Sequence, residues 1–173
     1  MKKTKIIWLT LFISFIGLTV YYFYPEDTLP KDVQADNIVV FKSKRELLVY
    51  SKGQLLKTYK ISIGLQPVGD KQFQGDNKTP EGIYFINDKN PNSFCHKNLG
   101  ISYPNKDDIA NAKRLGKSAG GDIKIHGLFN NSGFISKFHR WIGFTYGCIM
   151  VTDEEINELY SAVKIGTRIE IKP

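Results

Sequence analysis

A chain of 173 residues, 42% of them hydrophobic and 24% charged, has the length of one folded domain and enough apolar residues to bury a core, which excludes a disordered or low-complexity protein. Two cysteines are too few for a disulfide-built miniprotein. Of the formal net charge of +7, three units belong to Lys2, Lys3 and Lys5; the other basic residues are scattered among acids, so no nucleic-acid partner is expected.

From Ile6 to Tyr24 the chain runs 19 residues without a charge, a length that spans about 28 Å as a helix and matches the hydrocarbon core of a bilayer. Lysines ahead of the run keep its N-terminal side cytoplasmic and send the rest of the chain outward. A cleaved signal peptide ends in small residues, whereas this run ends in Val20-Tyr21-Tyr22-Phe23-Tyr24, an aromatic belt. The expectation is therefore an uncleaved single-pass anchor over residues 1–25 in the cytoplasmic membrane, with the remainder on the periplasmic or extracytoplasmic side. Residues 26–36 are polar and read as a linker that lifts the domain off the membrane, and residues 37–173 form the domain.

The domain opens with strand patterns at Asn37 to Phe41, Glu46 to Ser51 and Gln54 to Ile63, the last two joined by a Lys52-Gly53 hairpin turn. A turn cluster, Gly75 to Gly82, precedes a strand from Ile83 to Ile86, and Leu99 to Tyr103 is a further short strand. Asp107 to Leu115 reads as a helix stopped by Gly116, and Asp122 to His126 as an alternating strand with Asp122, Lys124 and His126 facing away from the core. Thr152 and Glu155 make a capping box opening a second helix, in which Ile156, Leu159, Tyr160 and Val163 recur on the core side before Gly166 stops it. Thr167 to Lys172 closes the domain as a strand. The fold class is mostly β, a sandwich or barrel with one or two peripheral helices.

Three histidines and two cysteines let each candidate for chemistry be weighed. Cys148 follows Gly147, which permits a tight backbone approach and lets successive main-chain N–H groups point at one spot, as an oxyanion hole requires. A thiol attacks as thiolate and needs a base beside it. His126 stands at a strand end before Gly127; Asp122 is about 13 Å away along an extended chain, so a backbone carbonyl is the expected partner for its other ring nitrogen. Three readings of the residues stay open here: a Cys148/His126 catalytic pair, an inert thiol, and a Cys95–Cys148 disulfide. Cys95 and His96 are adjacent and point to opposite faces, so no metal site is expected.

Ile125-His126-Gly127, followed 18 residues on by Thr145-x-Gly147-Cys148-Ile149, resembles the signature of the L,D-transpeptidase catalytic domain (YkuD-like) family, in which His-Gly precedes Ser/Thr-x-Gly-Cys. Gly75-Asp-x-Lys-Thr-Pro-Glu-Gly82-x-Tyr84, Asn90-Pro-Asn-Ser93, His96-x-x-Leu-x-Ile-Ser-Tyr-Pro-Asn105, Gly120-Gly-Asp122 and Val151-Thr-x-x-Glu-Ile156 are similar to a small murein branch of it. The resemblance covers about Asn37 to Pro173. It implies a β-rich fold, no cofactor, and cysteine acyl transfer on peptidoglycan stem peptides, cleaving after the third-position diamino acid. A stem peptide or a wall-linked lipoprotein would supply the acceptor amine; the same site using water would be an L,D-carboxypeptidase or amidase. Carried over, Cys148 is the nucleophile and His126 the general base. Gly147, Cys148 and Tyr146 main-chain N–H groups form the oxyanion site, and Thr145 shapes the elbow.

Gly127, His96, Lys124, Arg140 and Trp141 are the expected substrate contacts. The chain departs from the family pattern in carrying Tyr146 where His is common, Met150 where Arg is common, and Arg140 where an acid commonly precedes the Trp. Arg140 or Lys124 would then bind the stem carboxylate in place of the missing Arg. Cys95 is expected as a buried apolar substitution, and His139 on a mobile loop over the site.

Overall fold

The computed structural model describes residues 2–141 and 145–173; Met1, the first residue of the expected anchor, and residues 142–144 lie outside them. A helix α1 (Lys2–Phe23) precedes the domain and contains a 21-residue stretch long and apolar enough to cross a membrane. The domain is built on strands β1 (Ala35–Phe41), β2 (Glu46–Ser51), β3 (Gln54–Lys60), β4 (Gly82–Ser93), β5 (His96–Ile101), β6 (Lys124–His126), β7 (Ile149–Met150) and β8 (Val163–Lys172). Helix α2 (Lys106–Arg114) lies between β5 and β6, and helix α3 (Asp153–Ala162) between β7 and β8.

All eight strands form one sheet in the order β3-β2-β1-β8-β4-β5-β6-β7. Side chains alternate across a strand, and Ile38 and Val40, Leu47 and Val49, Tyr84 and Ile86, and Ile169 and Ile171 place their apolar members at two-residue spacing in one core. β4 carries the bend: Gly82 to Phe85 pair with β8, and Ile86 to Ser93 pair with β5. Beyond β3 the chain runs on to meet the far edge, through bridges of Ser62 to Met150 and Gly64 to Thr145. The mostly β class with few helices, expected as a sandwich or barrel, is present as one eight-stranded sheet.

Local chemistry explains most of the element ends. Lys52 and Gly53 both have positive φ (51° and 77°), the backbone of a two-residue hairpin turn. Thr152 accepts from the Glu155 N–H while the Glu155 carboxylate accepts from the Thr152 N–H, and Asn105 and Asp108 do the same at α2; each box satisfies two donors that a helix start leaves unpaired.

Several boundaries differ from expectation. β3 ends at Lys60 rather than Ile63, because the next residues turn to the bridges on β7. β4 continues past Ile86 to Ser93, and β5 begins at His96 and ends at Ile101. Helix α3 stops at Ala162, where Val163 enters β8 to pair with Ala35; Gly166 sits inside β8 at a register shift. The Asp122 to His126 strand shortens to Lys124–His126, since Asp122 has a left-handed backbone (φ 61°) that breaks the alternation.

The segment expected as a linker lies against the domain. Leu29 is 7% exposed and belongs to the core, and Glu26 is paired with Arg140 and Lys137. Leu128 to Arg140, expected as a mobile loop, is largely a 3₁₀ segment, Gly133–Trp141, kinked at Ser136.

Candidate active site

β6 delivers His126 and β7 follows Cys148, and the two strands pair in parallel with Ile125 opposite Ile149. Both side chains line one cleft of about 470 Å³, together with Asn90, Phe94, Cys95, Asn98, Asp122, Lys124, Phe129, Thr145 and Tyr146. β5 supplies its neighbouring wall, Asn98 standing opposite His126 in the ladder.

His126 is 6% exposed, buried at the base of the cleft; within β6 it shares the cleft-facing side with Lys124, opposite the core residue Ile125. Its Nδ1 lies 2.6 Å from the Gly127 carbonyl. A carbonyl only accepts, so Nδ1 carries the proton and Nε2 is the free lone pair of the neutral ring. Burial, the leading cause, and the Lys124 charge hold the imidazole below its ordinary pKa, against the opposing pull of the Gly127 carbonyl. His126 is therefore a neutral base at neutral pH.

Cys148 is half-buried and its Sγ donates to the Asp122 carbonyl at 3.6 Å. Burial pushes this thiol up from its ordinary value; the Lys124 main-chain N–H and ammonium pull the other way. At rest the cleft thus holds a neutral thiol and a neutral imidazole. Lys124 forms an ion pair with Asp122 at 2.6 Å on the cleft wall.

The turn before β7 is held from below. Thr145 Oγ1 donates to the Cys148 carbonyl at 2.7 Å and accepts from the Gly147 N–H at 3.2 Å. Gly147 has φ 137°, and a Cβ there would lie 2.6 Å from the Lys78 carbonyl oxygen, so both backbone and space require glycine. The Lys78 loop is fixed in turn by Asp76, whose carboxylate accepts from Lys71 Nζ and from the Gln72, Phe73 and Lys78 N–H groups. Lys42 ties the same loop through Gly69, Thr79 and Glu81.

This geometry corrects the expected oxyanion set. The Gly147 N–H is committed to Thr145, whereas the Cys148 and Tyr146 N–H groups have no partner among the described residues. The structure also separates the other expected contacts. Gly127 is packed too tightly for any side chain, with Asp153 Oδ1 2.6 Å from where a Cβ would stand. His96 Nε2 pairs with Asn157 on α3 at 3.1 Å and does not line the cleft.

Arg140 is held by Glu26 at 2.6 and 2.8 Å and by Glu155 at 2.8 Å, away from the cleft, so it is not a free cation for a stem carboxylate. Trp141 stacks on Tyr21 of α1 at 5.2 Å and is likewise outside the cleft. His139 is fully buried, its Nδ1 3.1 Å from Ser62 Oγ, and not over the site.

Cys95 is free and half-buried on the cleft wall rather than a buried apolar substitute, and Cys148 is free as well, so no disulfide joins them. Composition alone missed Asn98: it is 3% exposed, yet its Oδ1 has no hydrogen-bond partner among the described residues. Its signal was its place opposite His126, which appears only once β5 and β6 are registered.

The family model described as the L,D-transpeptidase catalytic domain, YkuD, matches residues 35–171. YafK of Escherichia coli (strain K12) is 33% identical over 132 residues, 73% of this chain and 46% of that protein. A solved structure of a point variant of Pgp2, the helical cell shape determining protein of Campylobacter jejuni, is similar with a TM-score of 0.59 at 26% identity, covering 84% of this chain and 50% of that one. Bd1075 of Bdellovibrio bacteriovorus is similar with a TM-score of 0.55 at 27% identity, covering 82% of this chain and 49% of that one. The chain spans about half the length of these relatives.

Proposed function

Because this chain belongs to the YkuD family of L,D-transpeptidase catalytic domains, we propose that it transfers acyl groups between peptidoglycan stem peptides through Cys148, at the outer face of a membrane that α1 spans. The observation that carries the reading is the fixed tautomer of His126. With Nδ1 donating to Gly127, only Nε2 can accept a proton, and it belongs to the ring that shares a cleft with the thiol.

The reaction follows from the resting state. The Cys148 proton passes to His126 Nε2 as sulfur attacks the carbonyl of the third stem residue, so no stable thiolate is needed beforehand. The oxyanion is held by the Cys148 and Tyr146 N–H groups, the two main-chain donors there with no other partner among the described residues. His126 returns the proton to the departing amine of the terminal D-residue, leaving a thioester on Cys148. An amine from a second stem peptide, or from a wall-linked lipoprotein, then attacks the thioester and restores the thiol. The Lys124–Asp122 pair and the aromatic faces of Phe94 and Phe129 line the path by which substrate reaches the sulfur.

The test is intact-mass spectrometry of the full chain with a carbapenem, beside Cys148→Ala. An adduct on the parent chain that is absent from the variant is the expected result, and no adduct overturns the reading. A tetrapeptide muropeptide then separates the two fates of the thioester. Crosslinked dimer is expected, and trimmed tripeptide alone would make the enzyme a hydrolase.

A further inference from the structure

Resting on the reading of α1 as a membrane anchor, we infer that the domain itself docks on the outer lipid interface through the 3₁₀ segment Gly133–Trp141, with the Trp141 indole seated among the headgroups.

The junction between helix and domain has no slack. Tyr21 of α1 stacks on Trp141 at 5.2 Å and meets Phe138 at 5.8 Å, Tyr22 meets Phe138 at 5.7 Å, and Phe138 meets Trp141 at 5.1 Å. Four rings form one cluster shared by helix and domain. Around it, Lys137 Nζ donates to the carbonyls of Tyr21 and Tyr24. The Tyr21 carbonyl belongs to the last turn of α1, which has no intrahelical donor left for it, and Tyr24 follows that turn directly; the ammonium also complements the negative end of the helix dipole. Glu26 and Glu155 grip Arg140 from both sides, tying the chain after α1 to α3.

These contacts fix the depth of the segment. The uncharged run of α1 matches the hydrocarbon thickness, so Tyr21 to Tyr24 stand at its outer boundary. Beyond that boundary the headgroup layer is roughly 5–8 Å deep. A ring centred 5.2 Å from Tyr21 therefore lies within about 5 Å of that boundary, at the lipid interface. The surface has the matching chemistry: Trp141 is 56% exposed and Phe134 73%, and an indole, apolar with one N–H donor, partitions to this zone.

The chain has two tryptophans, Trp8 in α1 and Trp141, so Trp8→Phe and Trp141→Phe each leave a single reporter. The full-length variants are reconstituted into phosphatidylcholine/phosphatidylglycerol vesicles with lipids brominated near the headgroup or deep in the acyl chain. Trp141 is expected to lose most of its emission to the shallow bromines, to resist aqueous acrylamide, and to lose both properties when Arg140→Gln and Lys137→Gln open the junction. If Trp8 is not quenched by either lipid, the anchor reading fails and this inference with it. Quenching of Trp8 while Trp141 ignores bromine overturns the docking alone, whether Trp141 is then open to acrylamide or shielded by a second copy.

Discussion

The two halves of the sheet solve different problems. β1, β2, β3 and β8 are six to ten residues long and exchange long ladders, with Ile38, Val40, Leu47 and Val49 fully buried on one face. β6 and β7, which carry the candidate chemistry, have three and two residues. Ladders this short cannot hold the left-handed backbone at Gly147 by themselves; the Lys78 loop, fixed by Asp76, and the Thr145 hydroxyl do it from outside the sheet. One half supplies stability by repetition, and the other spends it on geometry held by single, unrepeated contacts.

Substitutions in each half should separate these roles. The largest effect is expected from His126→Ala, which should slow carbapenem acylation by about 10²- to 10⁴-fold while leaving the thermal midpoint nearly unchanged. Leu47→Ala should do the opposite, costing about 2–5 kcal/mol of unfolding free energy in a urea titration with acylation per folded molecule unaltered. A slowed acylation in folded Leu47→Ala would break the comparison. Gly147→Ala should affect both readouts, because the Cβ meets the Lys78 carbonyl and the backbone is strained by roughly 1–3 kcal/mol; loss of acylation should exceed loss of stability.

The effect that is smallest at neutral pH concerns acid. Burial holds His139 down at about 3 and lowers His126 as well, while an unfolded imidazole titrates near 6.5. Between those values the unfolded chain binds the His139 proton that the folded chain does not, so stability falls as pH drops from about 6.5, by about 1.4 kcal/mol per pH unit for this group. His139→Gln should flatten that slope in urea titrations between pH 6.5 and 4. An unchanged slope would remove His139 as its source.

The long-stranded half was readable because period-two burial, a Lys-Gly turn and a Thr/Glu capping box are local signals. The His-Gly and Thr-x-Gly-Cys motifs marked where chemistry could lie for the same reason. The rest depended on contacts distant in sequence. Nothing local says that Thr145 uses up the Gly147 N–H, that Asp122 takes a left-handed backbone, or that Arg140 is claimed by Glu26, 114 residues earlier. The 3₁₀ segment was read as a loop because its apolar residues pack on α1, an element the domain's own pattern does not include.

β8 pairs with β1 in parallel on one side and with β4 antiparallel on the other, so the strand made after the other seven is the seam of the whole sheet. A growing chain can zip β1, β2 and β3 as it arrives. The ladder that runs from β1 through β8 to β4 cannot form until Val163 to Lys172 have emerged as well. Assembly of the sheet is thereby ordered in time: its central ladder closes only after the last strand has been made. Stop codons introduced before Val163 should leave a chain that a protease digests and a carbapenem does not label.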